Sequence, residues 1–323
     1  MILFDQNTTV DDLNNYLKNK LNFLNKSEAL IRTEIAGEGN MNVVMRLKTN
    51  QRSFILKQSR TFVRKYPDII APLNRIDVEY NFYRQIGSHS FFPKILKYVP
   101  TNHLLIIEDL GDCEDLTSIY KSGEVSQDFI QQLTNGLLHI HQQLIPKEYP
   151  KNRILRKLNH QHIFIFPFKN NGFSLDNIQE GLEVLAKPFK NDKVLKNKIY
   201  RAGKSYMQNG DTLLHGDYYP GSWMRVGERL YIIDPEFSFA GPKEFDLGIM
   251  AAHLILASGQ NSVFDQVCEA YRNKVNVEQV QTYCGIEIIR RLIGLAQLPM
   301  ERTLEQKKNL LNLAKQYILS KVK

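Results

Sequence analysis

An α+β chain in two parts is what this sequence predicts, and three observations carry the prediction. Five short β-like runs, with one helix inserted among them, are complete by Glu108, helical periodicity dominates from Ser126 onward, and 323 residues exceed the size at which one hydrophobic core usually stops growing. The parts are a small, mostly β unit over residues 1–109 and a larger, mostly helical unit over residues 110–323.

Each element has its own signal. Val10, Leu13, Leu17, Leu21 and Leu24 recur at three- and four-residue spacing behind Thr9, which predicts a capped amphipathic helix over residues 9–24. Leu30–Ile35, Val43–Leu47 and Phe54–Lys57 read as strands, separated by a Gly-rich stretch and a Thr49-Asn50 turn. Arg75–Ile86 reads as a helix with Ile76, Tyr80, Tyr83 and Ile86 on one side. Ile95–Val99 and Leu104–Glu108 follow as strands about a Pro100-Thr101-Asn102 turn. Beyond Gly111, helices are predicted over 129–144, 175–185, 244–257, 277–298 and 304–319, with one β-like island at 212–234.

Composition excludes several function classes. The longest apolar stretch, Ile249 to Ala257, is far short of the roughly 20 residues a membrane-spanning helix needs. The N-terminus turns acidic at once and does not read as a signal peptide, so a cytoplasmic location is expected. Cys113, Cys268 and Cys284 have no CxxC spacing and read as reduced, buried thiols. The net charge of +8 is spread along the chain with a modest concentration over 187–204, and no reader motif accompanies it, so nucleic acid is not an expected partner. Whether the chain is a monomer or a homodimer is left open.

The chemistry is concentrated in the island, LLHGDYYPGSWM followed by YIIDPEFSFAGPKEFDLG. Phosphoryl transfer to an alcohol needs a carboxylate to orient the hydroxyl and take its proton, and others to hold Mg²⁺ against the phosphates. Asp217 follows an apolar strand start in a Gly- and Pro-rich loop, and Asp234 ends the strand Tyr231-Ile232-Ile233. Two strands joined by a tight connection, each ending in an aspartate, would bring both carboxylates to one mouth. Either aspartate alone reads equally well as a turn residue.

The HGD…DPE…FDLG arrangement resembles the aminoglycoside phosphotransferase and choline kinase superfamily, and within it the methylthioribose kinases most closely. The resemblance runs through spaced motifs from about Glu34 to Pro299 and implies a two-lobed protein-kinase-like fold, an ATP and Mg²⁺ cofactor pair, and a small-molecule hydroxyl acceptor. It implies that Asp217 is the catalytic base that meets the acceptor, and that Asp234 and Glu236 serve the metal. Ser222 stands at the superfamily's metal-binding asparagine, and His215 would brace the loop. GEGNMN is similar to the glycine-rich turn of these kinases, which gives Gly37, Gly39 and Asn40 to the nucleotide phosphates. Lys57 stands where a phosphate-contacting lysine belongs, with Glu79 as its ion-pair partner on the following helix. Glu108 and Leu110 take the hinge positions whose main-chain groups hold adenine.

IIRRLIGLAQLP is similar to the segment in which a methylthioribose kinase arginine contacts substrate. Arg290 and Arg291 lie about 100° apart on a helix, so one would reach the acceptor while the other braces an acidic loop such as Glu244 or Asp246. His141 reads as a packed helix residue, and Trp223 as either a pocket wall or core. Tyr218-Tyr219-Pro220 departs from the family's Leu-His-Thr close to where the acceptor would bind. The function this implies is an ATP- and Mg-dependent kinase for a sugar-like acceptor such as 5-methylthioribose. The alternatives are a kinase for an aminoglycoside, choline or another sugar, and a non-catalytic nucleotide-binding relative.

Overall fold

Alternation along the strands of the first third separates an apolar face from one that carries charge. In the computed structural model, which describes residues 2–5, 7–37, 42–63, 66–169 and 172–320, the chain divides into two compact units, 1–113 and 114–323.

The first unit is built on a five-stranded antiparallel sheet in which Ser53–Ser59 is central, flanked by Asn42–Thr49 with Leu30–Ile35 outside it, and by Leu104–Glu108 with Ile95–Val99 outside it. Met45 pairs with Leu56, and Leu56 with Ile106, so these side chains share a face. That face packs on Leu13, Tyr16 and Leu17 of the N-terminal helical segment. Lys57, one residue on, points to the opposite face, the side of the helix Arg75–Ile86, which packs on Ser53–Ser59, Leu104–Glu108 and Ile95–Val99. Glu79 on that helix meets it there, with Lys57 Nζ 2.6 Å from Glu79 Oε1 and both residues buried.

In the second unit the helix Val277–Ile293 packs on Glu244–Ser258 and on Leu304–Leu319. Glu244–Ser258 is buried almost along its whole length, which is why its apolar run has no polar stripe. Two small sheets flank this core: Phe239–Gly241 with Thr212–Leu214, and the hairpin Trp223–Val226/Arg229–Ile232 with Glu114–Asp115.

Several expectations shift. The N-terminal helix stops early: an α-helix over Val10–Asn15 passes into a π-turn over Tyr16–Lys20, and Asn22 then takes φ 50, which turns the chain. Thr9 does cap it, accepting from Asp12 N at 3.1 Å. The strand predicted to end at Lys57 runs on to Ser59, so Lys57 is inside the strand. The helix expected over 175–185 is a short 3₁₀ turn and then Leu182–Asn191, separated at Gly181. The helix expected to reach Leu298 ends at Ile293. Arg153–His160, Lys193–Met207 and Val263–Ala270 are helices the periodicity did not reveal. In Lys193–Met207 the buried positions Leu195, Ile199, Gly203 and Tyr206 keep helical spacing, but dense lysines obscured it. All three cysteines are unpaired; Cys284 is buried, whereas Cys113, in the loop before Glu114–Asp115, and Cys268, in the helix Val263–Ala270, are only partly so. No helix among the described residues is long and apolar enough to cross a membrane.

The Lys57–Glu79 pair gives a stability prediction. Glu79→Ala leaves a buried ammonium without its carboxylate and should cost about 3–5 kcal/mol. The double variant Lys57→Met/Glu79→Leu should recover most of that loss. Urea unfolding of the three proteins checks both statements.

Candidate active site

The loop that carries Asp217 hangs from one buried carboxylate. Asp246 lies in the first turn of the helix Glu244–Ser258 and is fully buried. It accepts the backbone N–H of His215 at 2.6 Å and of Gly216 at 3.0 Å. Gly216 has φ +84, and a Cβ there would collide with the Phe237 carbonyl, so only glycine fits.

With its backbone fixed, His215 spans the site. Its Nδ1 accepts the Asp217 N–H at 3.3 Å, and its Nε2 lies 2.9 Å from the Ile233 carbonyl. A carbonyl can only accept, so Nε2 carries the proton and the ring is neutral. Burial also holds the His215 pKa below its ordinary value. One imidazole thus links the residue that bears the first aspartate to the residue before the second. Ser222 adds two more ties: its hydroxyl donates to the Asp217 carbonyl at 2.9 Å, and its carbonyl accepts from Ile233 N at 2.9 Å.

These ties correct the expectation of two strands delivering both carboxylates from one connection. Thr212–Leu214 pairs with Phe239–Gly241, while Arg229–Ile232 belongs to a separate hairpin with Trp223–Val226. The His215 ring and the Ser222–Ile233 backbone bond, and not a shared sheet, tie the Asp217 loop to the residue before Asp234. Asp234 sits in the left-handed region, φ 60 and ψ 49, at the entry to the turn Pro235–Phe237. A non-glycine residue held there stores strain of the kind that collects at functional sites.

Both arginines of the helix Val277–Ile293 turn to one acid that the sequence reading missed. Arg290 Nη1 donates to both oxygens of Glu287 at 2.8 Å, and Arg291 Nε donates to Glu287 Oε1 at 2.6 Å. The bracing acid is therefore Glu287, one turn back on the same helix, and not Glu244 or Asp246. Glu244 accepts instead from Asn276 N at 3.0 Å. The spacings of three and four residues before the arginine pair were the available signal. Behind Glu287, His253 Nε2 lies 3.1 Å from Oε1 and His253 Nδ1 lies 2.6 Å from the Tyr120 hydroxyl. Burial pushes His253 down to about 4, so it is a neutral donor to the carboxylate. Burial opposes the Glu287 charge, but the two guanidinium groups and His253 outweigh it and hold its pKa well below the ordinary range.

Asp217 is half-buried beside this network. Burial pushes its pKa up to about 6, against the pull of Arg291 first and Arg290 second. Arg291 is thus the arginine that acts more strongly on Asp217. Tyr218 is an anchor, fully buried with its hydroxyl donating to the Leu133 carbonyl at 2.7 Å. Trp223 is fully buried, with its ring against Phe129 and Tyr218. His141 is packed in the helix Gln127–His141, with Nδ1 2.7 Å from the Tyr271 hydroxyl.

The remaining predicted residues lie in the first unit. Gly37 has φ 76, whereas Gly39 and Asn40 lie outside the described residues. Glu108 N donates to the Lys94 carbonyl at 2.9 Å, which spends that main-chain donor within the sheet and narrows what Glu108 can offer a nucleotide. Leu110 follows the strand end, next to Asp109, whose carboxylate is paired with Arg46 at 3.1 Å. Glu236 and Ser222 are both buried.

A sheet carrying a buried lysine–glutamate pair, followed by a helical unit with a tied HGD loop and a DPE turn, defines a protein-kinase-like fold. Solved structures agree: a choline kinase from Cryptosporidium parvum superposes with a TM-score of 0.55 at 13% identity, covering 96% of this chain and 94% of that one. Spectinomycin phosphotransferase APH(9)-Ia superposes with a TM-score of 0.51 at 13% identity, covering 98% and 99%.

Residues 33–283 match the model of the phosphotransferase enzyme family, and the chain belongs to that family. Among curated relatives, the methylthioribose kinase of Exiguobacterium sibiricum is 26% identical over 71% of this chain, and the match spans 62% of that kinase's own length. The methylthioribose kinase of Geobacillus thermodenitrificans is 24% identical over 84% of this chain and 81% of its own.

The buried Asp217 carboxylate works against stability. Its folded pKa, about 6, lies above the ordinary 3.8, so the folded state binds the proton more tightly and stability falls as pH rises between those values. Asp217→Asn should therefore stabilise the protein by about 1–3 kcal/mol at pH 8, with little gain at pH 4. Urea unfolding at the two pH values measures the difference.

Proposed function

We propose that this chain is an ATP- and Mg²⁺-dependent kinase that transfers a phosphoryl group to a hydroxyl of a small, sugar-like acceptor, with 5-methylthioribose the leading candidate. The observation that carries the reading is Asp217: a half-buried carboxylate with a pKa of about 6, tied through His215 to the Asp234 turn and facing two arginines. A base of that strength is ionised near neutral pH yet basic enough to take a hydroxyl proton as the oxygen attacks phosphorus. The bond that forms is from acceptor oxygen to phosphorus, the bond that breaks releases ADP, and the proton goes to Asp217.

Other residues take supporting roles. Lys57, oriented by Glu79, serves the nucleotide phosphates, along with the turn at Gly37 and the main chain near Glu108 and Leu110. Among the described residues no group of three His, Cys, Asp or Glu side chains forms a closed metal cage. Mg²⁺ usually takes one or two carboxylates and completes its shell with phosphate and water. Asp234 and Glu236 are the residues that would hold it, and the ion supplies charge neutralisation of the phosphates. Ser222 donates its hydroxyl proton to the Asp217 carbonyl, which shapes the loop, and the lone pairs of its oxygen would still be able to serve the metal. Arg290 and Arg291 would meet the acceptor. Arg290 Nε is buried with no hydrogen-bond partner among the described residues, a donor held in reserve for a ligand oxygen.

The site's two guanidinium groups favour a neutral or electron-rich acceptor over choline or an aminoglycoside. ATP consumption against methylthioribose, other pentoses, choline and aminoglycosides tests the reading. Methylthioribose should be turned over, with the rate falling as pH drops through about 6 because Asp217 becomes protonated. Asp217→Asn should lower turnover by at least about 100-fold with ATP affinity within a few-fold. Asp234→Ala should remove the Mg²⁺ dependence of ATP binding, read by calorimetry with and without the ion. Turnover of choline with pentoses inert would overturn the sugar assignment; full activity of Asp217→Asn would overturn the base.

A further inference from the structure

Tyr219 stands two residues after Asp217 in the loop that carries the candidate base. Its neighbour Tyr218 is turned into the core, but Tyr219 is only partly buried and faces the arginine network. The Arg291 guanidinium carbon stands 5.2 Å over its ring, and the His253 ring is 5.3 Å away. The ring lies back over Gly221, where a Cβ would strike the Tyr219 hydroxyl and ring carbons. Glycine at 221 is what lets the tyrosine occupy this place.

Two consequences follow from that packing. The ring and Glu287 together fix the Arg291 plane: the carboxylate binds Nε at 2.6 Å and the aromatic face supports the cation. The hydroxyl makes no hydrogen bond among the described residues, so it is available to a ligand. Burial and the nearby Asp217 carboxylate both oppose its ionisation, which keeps it a neutral O–H able to donate and accept.

Resting on the kinase reading above, we infer that Tyr219 is the specificity-determining residue of the acceptor site and reserves it for uncharged, hydroxyl-rich acceptors. Its aromatic face holds this chain's own cation and so is closed to a quaternary ammonium or aminium ligand, while its hydroxyl and the ordered Arg291 present hydrogen bonds to ring hydroxyls. Tyr219 acts on affinity and choice of acceptor, and the proton transfer belongs to Asp217.

The experiment compares the wild type with Tyr219→Phe and Tyr219→Leu. Binding of methylthioribose, ribose, choline and an aminoglycoside is measured by calorimetry, and KM and kcat by ATP consumption. Wild type should bind the pentoses and neither cation. Tyr219→Phe should weaken pentose binding about threefold to tenfold through the lost hydrogen bond. Tyr219→Leu, which also frees Arg291, should weaken it by about 30-fold or more, with the ATP KM within about twofold. A residue that merely packs would lower thermal stability and leave acceptor affinity alone. Unchanged pentose affinity in the variants, choline bound as tightly as a pentose, or no pentose binding at all would each overturn the inference. If Tyr219→Leu does not fold, Tyr219→Phe decides alone. Pentose binding that depends on Tyr219 without any ATP turnover would sink the kinase reading and leave this one standing.

Discussion

A single buried carboxylate, Asp246, holds the candidate site in shape. Its charge lies at the start of the helix Glu244–Ser258, where unpaired N–H groups and the helix dipole favour an anion. It spends its oxygens on two consecutive backbone N–H groups, those of His215 and Gly216. That fixes a loop in which Gly216 takes a positive φ and approaches the Phe237 carbonyl closely. Everything downstream inherits this constraint: the His215 ring reaches both Asp217 N and the Ile233 carbonyl only because its own backbone is pinned.

A second buried acid, Glu287, organises the arginine pair by a different balance. One carboxylate facing two guanidinium groups leaves an excess positive charge, which the Asp217 carboxylate helps to offset. The two aspects of Asp217 then have one cause. Burial raises its pKa, and the arginines stop it from rising so far that the carboxylate would be protonated at neutral pH. Full burial without the arginines would leave a neutral acid with no basicity to offer, while full exposure would leave an anion too weak a base to help. Stability is given up for this, as is usual where a site needs an ionised group out of water.

The first unit uses the same device more simply. Period-two alternation in the strand Ser53–Ser59 sends Phe54 and Leu56 to the apolar cluster and Lys57 to the other face. The register with Leu104–Glu108 and the packing of the helix Arg75–Ile86 then set Glu79 within 2.6 Å of the lysine amine. An ammonium buried there is tolerable only because the carboxylate is delivered to it by an independent element.

The sequence by itself determined the element types wherever periodicity was strong, as in Arg75–Ile86, Leu104–Glu108 and Leu304–Leu319, because a 3.6- or 2-residue repeat follows from local geometry alone. It also marked His215, Gly216, Asp217, Asp234 and Glu236, since a short tied loop keeps its chemistry close together in the chain. It could not show that the two aspartates hang from different sheets, that Asp246 is the clamp, or that Glu287 claims both arginines. Those facts depend on residues 30 or more positions apart meeting in space, or on which way a helix face turns once its neighbours have packed. Tertiary structure alone decided that Tyr218 goes to the core and Tyr219 to Arg291. Adjacent residues of one type carry no local signal of direction; the core vacancy beside Leu133 and the open space over Gly221 supply it.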